Sequence, residues 1–113
     1  MTTTNDLRRY PRFKPAKPTF SAWQSTSQRY VSRIENLGLG GLFLRTPEPP
    51  PLGTFIQLLL DTTEGDIRAR AEVKNNRPKE GMGIKIVAME QEDRMRFARW
   101  LRKLSANHNP GQD

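Results

Sequence analysis

The chain has no cysteine and a single histidine, His108, among its 113 residues. The first absence excludes disulfides, iron–sulfur clusters, cysteine-rich zinc sites and thiol nucleophiles. The second excludes a metal site built on several imidazoles. Long apolar runs are missing too. The strongest, Phe55 to Leu60, is interrupted by Gln57, whereas a membrane-spanning helix needs roughly 20 apolar residues. The opening Met-Thr-Thr-Thr-Asn-Asp lacks the positive region and apolar stretch of a signal peptide. The expectation is a soluble, cytoplasmic protein without membrane insertion. Catalytic equipment is also scarce. There is no Ser/His/Asp set, and the carboxylates lie mostly in turns or on a helix with no pair evidently buried, so no catalytic residue, metal or cofactor is assigned and no enzyme is expected.

What the chain does have is positive charge. Nineteen lysines and arginines outnumber twelve acids, for a net charge of +7. A chain this basic expects an anionic partner. More than half of the excess lies in residues 1–20, where Arg8, Arg9, Arg12, Lys14 and Lys17 face only Asp6. Pro11, Pro15 and Pro18 in the same stretch exclude a helix and favour extended chain. By composition this is either a ligand-grasping arm or a solvated tail.

The body reads as strands. Ile67, Ala69, Ala71 and Val73 alternate with Arg68, Arg70, Glu72 and Lys74, the period of a half-buried strand. The face bearing Arg68, Arg70 and Lys74 is either a partner surface or plain solvent-exposed charge, and the plain reading is preferred. Thr54–Asp61 is a second strand, joined to it through Thr62–Asp66, where Gly65 can take a positive φ. Gly81–Val87 and Gly41–Arg45 are two more, the latter stopped by Pro47, Pro49, Pro50 and Pro51. Phe20–Trp23 and Tyr30–Leu37 complete about six, with ragged alternation. Asn75 to Gly81 reads as a polar loop.

The C-terminal end changes period. Phe97, Trp100, Leu101 and Leu104 form an i, i+3, i+4, i+7 stripe, acids precede it and basic residues follow, as the helix dipole favours. A helix is predicted from Gln91 to Leu104, with Phe97 and Trp100 as core. Many short strands and one amphipathic helix predict a mainly β fold, a six-stranded antiparallel barrel closed by a C-terminal α-helix. The organisation is a flexible basic arm at 1–12, barrel plus helix at 13–104 and a disordered tail at 105–113.

Two local patterns carry chemistry. Arg8-Arg9-Tyr10-Pro11-Arg12 places arginines at i and i+4 in extended chain. Each guanidinium is a planar fork that bonds a phosphate or a guanine O6/N7 edge bidentately. Asn36-Leu37-Gly38-Leu39-Gly40-Gly41 concentrates glycine where backbone must approach something closely, with Asn36 offering both donor and acceptor to a base edge. No Gly-Lys-Ser/Thr follows, so this is not a P-loop.

In this order and spacing the two patterns resemble the signature of the PilZ domain family, Arg-x-x-x-Arg before a six-stranded barrel and Asp/Asn-x-Ser-x-x-Gly after its second strand. Arg8 and Arg12 match the first part; Asn36 and Gly41 match the ends of the second. Gly40-Gly41-Leu42-Phe43-Leu44 before a proline loop, Gly81-Met82-Gly83-Ile84 and a helix starting near Glu92-Asp93-Arg94 are similar to the family as well. The resemblance spans Arg8 to Leu104. It implies a non-enzymatic receptor for the bacterial second messenger cyclic di-GMP, taken singly or as a stacked dimer, that signals through an unidentified protein partner. It implies a ligand site of Arg8, Arg9, Arg12, Asn36, Gly38 and Gly41.

Gly38 departs from the pattern, standing where the family has serine. One lost hydrogen bond to a charged group is worth roughly 1.5–3 kcal/mol, or about ten- to a hundredfold in affinity. The alternative is therefore a PilZ-like adaptor that does not bind the nucleotide. A small basic barrel for single-stranded nucleic acid is a weaker fit, because Phe43, Phe55 and Trp100 are read in apolar contexts rather than among exposed basic residues.

Overall fold

The computed structural model of the chain describes residues 12–15, 17–26, 28–38 and 40–107. The alternation along Ile67 to Val73 has the expected consequence: Ile67, Ala69, Ala71 and Val73 are buried, while Arg68, Arg70 and Lys74 face solvent. The strands are β1 (Arg12–Phe13), β2 (Phe20–Gln24), β3 (Arg29–Gly38), β4 (Gly41–Arg45), β5 (Phe55–Thr62), β6 (Gly65–Arg77) and β7 (Gly81–Ala88), followed by helix α1 (Gln91–Asn107). Six strands pair antiparallel in the order β3-β2-β5-β6-β7-β4, and β4 pairs back onto β3. The six strands thus close into a barrel, which removes the long open edges of a flat sheet.

The seventh strand was not expected. Arg12, the last residue of the predicted arm, pairs with Gly38, and Phe13 pairs with Leu37. Leu37 also pairs with Leu42 on its other side. Strands β1 and β4 therefore flank β3 on opposite edges, and β1 continues the line of β2. Phe13 packs against the core from this position, which gives so short a strand its anchor.

The barrel is filled by Trp23, Ile34, Leu37, Leu42, Leu44, Ile56, Leu60 and Met82, each at most 2% exposed. The Trp23 indole N–H donates to Ser32 Oγ at 2.8 Å, so its polar end is satisfied inside the core. Phe97, Trp100 and Leu101 of α1 are buried against the same cluster, as their spacing predicted. The helix starts where β7 has run out. There the Arg68 backbone N–H, just beyond the last β6–β7 pair at Arg70 and Ala88, donates to Asp93 Oδ1 at 2.9 Å. A side chain of the first helical turn thus replaces the missing strand.

A second contact ties the helix to the β5–β6 turn, where Gly65 has φ 110°. Glu64 points under α1 with its side chain 7% exposed, and Lys103 Nζ lies 2.6 Å from Oε2. Arg99 Nη1 is 4.0 Å from Oε1. Oε2 has no well-aligned hydrogen bond, so the pairing is Coulombic. Both cations remain half exposed, which screens the attraction. Glu64→Ala is expected to cost about 1–2 kcal/mol, between an exposed and a buried pair. Urea unfolding with an unchanged midpoint would show that the latch adds nothing.

Three other expectations are corrected. Asn75, Asn76 and Arg77 belong to β6 rather than to a loop. They pair with Gly83, Met82 and Gly81, and Asn76 Nδ2 donates to the Pro49 and Pro50 carbonyls at 3.2 and 2.6 Å. Cross-strand pairing and this tie to the proline loop override the low β-propensity of asparagine. Helix α1 continues three residues past Leu104, to Asn107. Phe55 is 48% exposed and does not join the apolar interior, whereas Phe43 is buried at 8% exposure but lies outside the barrel's core cluster. Both lie on the outer face of the barrel, under the guanidinium groups of Arg77 (5.3 Å from the ring centroid) and Arg70 (4.7 Å).

Candidate functional site

Strand alternation alone would send Asn36 inward, since Ile34 two residues before it is buried. The register shows otherwise. Ile34 pairs with Leu44, yet Asn36 pairs with Phe43, so Glu35 is an extra residue and β3 carries a bulge there. A bulge inverts the parity of every residue after it in the strand. Asn36 and Gly38 turn to the outer face, and Leu37 takes the core position. Glu35 lies beside the bulge and accepts from Arg45 Nη1 at 2.8 Å. That hydrogen bond, with the charges of Arg45, Lys14 and Arg77, holds the Glu35 carboxyl below the usual carboxylate range against a smaller opposing desolvation.

Pairing of β1 with β3 brings Arg12 onto the same outer face, directly opposite Gly38 and diagonal to Asn36. Arg12 Nε and Nη2 donate to Asn36 Oδ1 at 3.1 and 2.5 Å. Protein atoms around the guanidinium lower its pKa by desolvation, but arginine remains charged at any physiological pH. A guanidinium has five N–H donors. Two are committed to Asn36, and among the described residues the other three and the Asn36 amide N–H groups have no hydrogen-bond acceptor. The pair is thus a fixed, cationic donor array in a sheet position rather than a free arm.

The array continues across the barrel. Asn36 pairs with Phe43, Phe43 with Gly83, and Gly83 with Asn75. Three strand spacings give this row a length of roughly 14 Å. The Phe43 ring lies over Gly81 and Gly83, where a Cβ would come within 2.8 and 3.9 Å of it. Beside the bulge a basic depression of about 480 Å³ is lined by Lys14, Lys17, Arg33 and Arg45. The face offers hydrogen-bond donors, positive charge and the Arg77 guanidinium over the Phe43 ring. It suits a planar, anionic ligand.

Of the residues singled out in the sequence, the structure brings Arg12, Asn36 and Gly38 together. Gly41 follows at the start of β4, but its glycine is required by packing. A Cβ there would lie 2.0 Å from the Ile84 carbonyl oxygen of β7. Arg8 and Arg9 lie outside the described residues. Phe43, Asn75 and Arg77 were missed as neighbours of the site. The parity of Phe43 between the buried Leu42 and Leu44 was a usable signal; the extension of β6 through two asparagines was not.

The comparisons with known proteins agree with this architecture. The PilZ domain model matches residues 6–103. No curated protein sequence matches the chain. Among solved structures, the K. pneumonia MrkH–c-di-GMP complex is similar, with TM-score 0.71, 21% identity, 88% of this chain covered and 52% of that one. The PilZ domain of Escherichia coli YcgR with c-di-GMP has TM-score 0.66, 16% identity and coverage of 88% and 92%. The Bacillus subtilis inhibitor of motility MotI/DgrA has TM-score 0.68, 16% identity and coverage of 90% and 53%. The chain therefore spans about half the length of MrkH and MotI but nearly all of the YcgR domain. Among the described residues, no helix is long and apolar enough to cross a membrane. A family model covering most of the chain, the closed six-stranded barrel and the C-terminal helix lead to one conclusion: the chain belongs to the PilZ domain family.

Proposed function

We propose that the protein is a cytoplasmic, non-enzymatic receptor for cyclic di-GMP that passes the signal to a protein partner through its altered surface. The observation that supports this most is the Arg12–Asn36 pair, two signature residues held together on the outer barrel face by strand pairing and a bulge. Two similar structures, of MrkH and YcgR, contain cyclic di-GMP.

In this reading Arg12 gives its free N–H groups to a phosphate or a guanine O6/N7 edge, and Asn36 reads a guanine edge with its amide. Gly38 lets the ligand approach the backbone, while Gly41 lets β4 pack against β7 beside the site. Arg8 and Arg9 close from the arm and add charge. Folding the arm over the ligand changes the surface offered to a partner. Titration calorimetry with cyclic di-GMP, and with GTP as control, tests the reading. Selective micromolar or tighter binding supports a receptor. No binding at high protein concentration supports the adaptor instead, a reading favoured by one feature, the missing hydroxyl at Gly38.

Gly38 gives a separate test. It faces the site opposite Arg12. Gly38→Ser is expected to tighten binding by about tenfold, the value of one hydrogen bond to a charged group. Unchanged affinity would mean that backbone and water already satisfy the ligand there.

A further inference from the structure

The strand face read from sequence as plain exposed charge is concave. A groove of about 690 Å³ crosses the outer face of β2, β5 and β6 and ends at the start of α1. Its floor follows two rows of the register. One row runs Ala22, Leu59, Arg68; the other runs Gln24, Gln57, Arg70. Val31 pairs with Ala22 and extends the apolar row onto β3, where it is 70% exposed. Arg29 stands at the same end, pointed by its hydrogen bonds to Gln24 Oε1. The opposite end is acidic, lined by Glu90 and Asp93. The face shares no residue with the Arg12–Asn36 row.

We propose that this groove is the docking site for an acidic, amphipathic peptide segment of a partner protein. Its carboxylates meet Arg29, Arg68 and Arg70, and its aliphatic side chains meet Ala22, Leu59 and Val31. Charge complementarity selects this occupant. A second copy turned about a two-fold axis at β5 would set Arg29 against Glu90 and Asp93, but would leave Arg68 and Arg70 against Ala22 and Gln24 with no carboxylate to meet. A flat bilayer does not enter a concave floor. A nucleic-acid strand carries charge at every step, so it would meet Glu90 and Asp93 at one end, and Asp61 and Asp66, paired beyond the apolar row, at the side. A peptide can place its carboxylates at the arginines alone. Among the described residues the Phe55 ring is covered by Arg70 and the exposed Phe20 lies outside the groove's lining, so neither gives the floor a stacking platform. The inference does not depend on nucleotide binding.

The probe is a fluorescein-labelled peptide alternating glutamate with leucine and valine. Its lysine counterpart and an oligothymidylate are the controls. Fluorescence anisotropy reads affinity, and amide chemical shifts read location. Saturable binding of the acidic peptide alone is expected, with shifts confined to residues around Ala22, Gln57, Leu59 and Arg68. Arg29→Ser with Arg68→Ser should weaken binding more than about tenfold, and Val31→Ser alone should weaken it severalfold. All three side chains are solvent-facing, and thermal unfolding checks the fold. Cyclic di-GMP affinity should not change in these variants, which separates this inference from the receptor reading. The proposal is overturned by no binding, by equal binding of the lysine peptide, by shifts elsewhere, by tighter binding of the oligothymidylate, or by indifference to Val31→Ser.

Discussion

Arg12→Ala is expected to weaken cyclic di-GMP binding by about a hundredfold and to leave the barrel folded. A hydrogen bond to a charged group contributes roughly 1.5–3 kcal/mol, and each 1.4 kcal/mol is about tenfold in affinity. Arg12 offers a ligand several such donors, so the loss falls at the upper end. The fold survives because Arg12 lies in a two-residue strand outside the closed six-strand ring, with its side chain on the outer face. Arg12→Lys should fall between the wild type and the alanine variant. It keeps the charge but loses the planar fork that pairs with Asn36 and with a second acceptor. Calorimetry together with thermal unfolding decides the matter. Undiminished affinity in a folded Arg12→Ala protein would remove this residue from the site.

Gly41→Ala should do the opposite: it should destabilise the fold first and weaken binding as a consequence. The new Cβ would sit 2.0 Å from the Ile84 carbonyl oxygen. That atom belongs to the backbone of β7 and cannot swing away as a side chain would. Relief requires β4 and β7 to separate where Leu42 faces Ile84 and Leu44 faces Met82, all buried. Overpacking a core typically costs about 1–3 kcal/mol. A clash with a ladder carbonyl should reach the top of that range or beyond, against a total stability of about 5–15 kcal/mol. The corresponding fall in Tm is about 15 °C for a domain of this size. Gly40→Ala is the control, since a Cβ there meets nothing within 4 Å. If Gly41→Ala folds normally and loses only the ligand, the glycine serves the site and the packing argument fails. The pair of variants thus separates two reasons for one signature glycine.

Much of the barrel was legible in the sequence because its physics is local. Alternation along β6 places four apolar side chains on one face, and Gly41–Arg45 is bounded by a glycine turn and prolines. The stripe of Phe97, Trp100 and Leu101 needs only the period of a helix to predict its burial. Where reading failed, a distant partner decided. Asn75 and Asn76 look like loop residues until Gly83 and Met82 lie across from them. Phe55 looks like core until its parity is combined with Arg70 of β6.

The site divides in the same way. Composition and spacing by themselves determined that this chain is a small basic β-barrel with a helix, and singled out its arginine and asparagine–glycine patterns as candidates for an anionic ligand. Only the tertiary structure decided that Arg12 and Asn36 meet. One residue of bulge at Glu35 reverses the parity of β3, and two residues of β1 pair across from Gly38. Neither event leaves a local trace, because a strand's facing is set by its register with neighbours far away in the chain, and one extra residue flips every side chain after it.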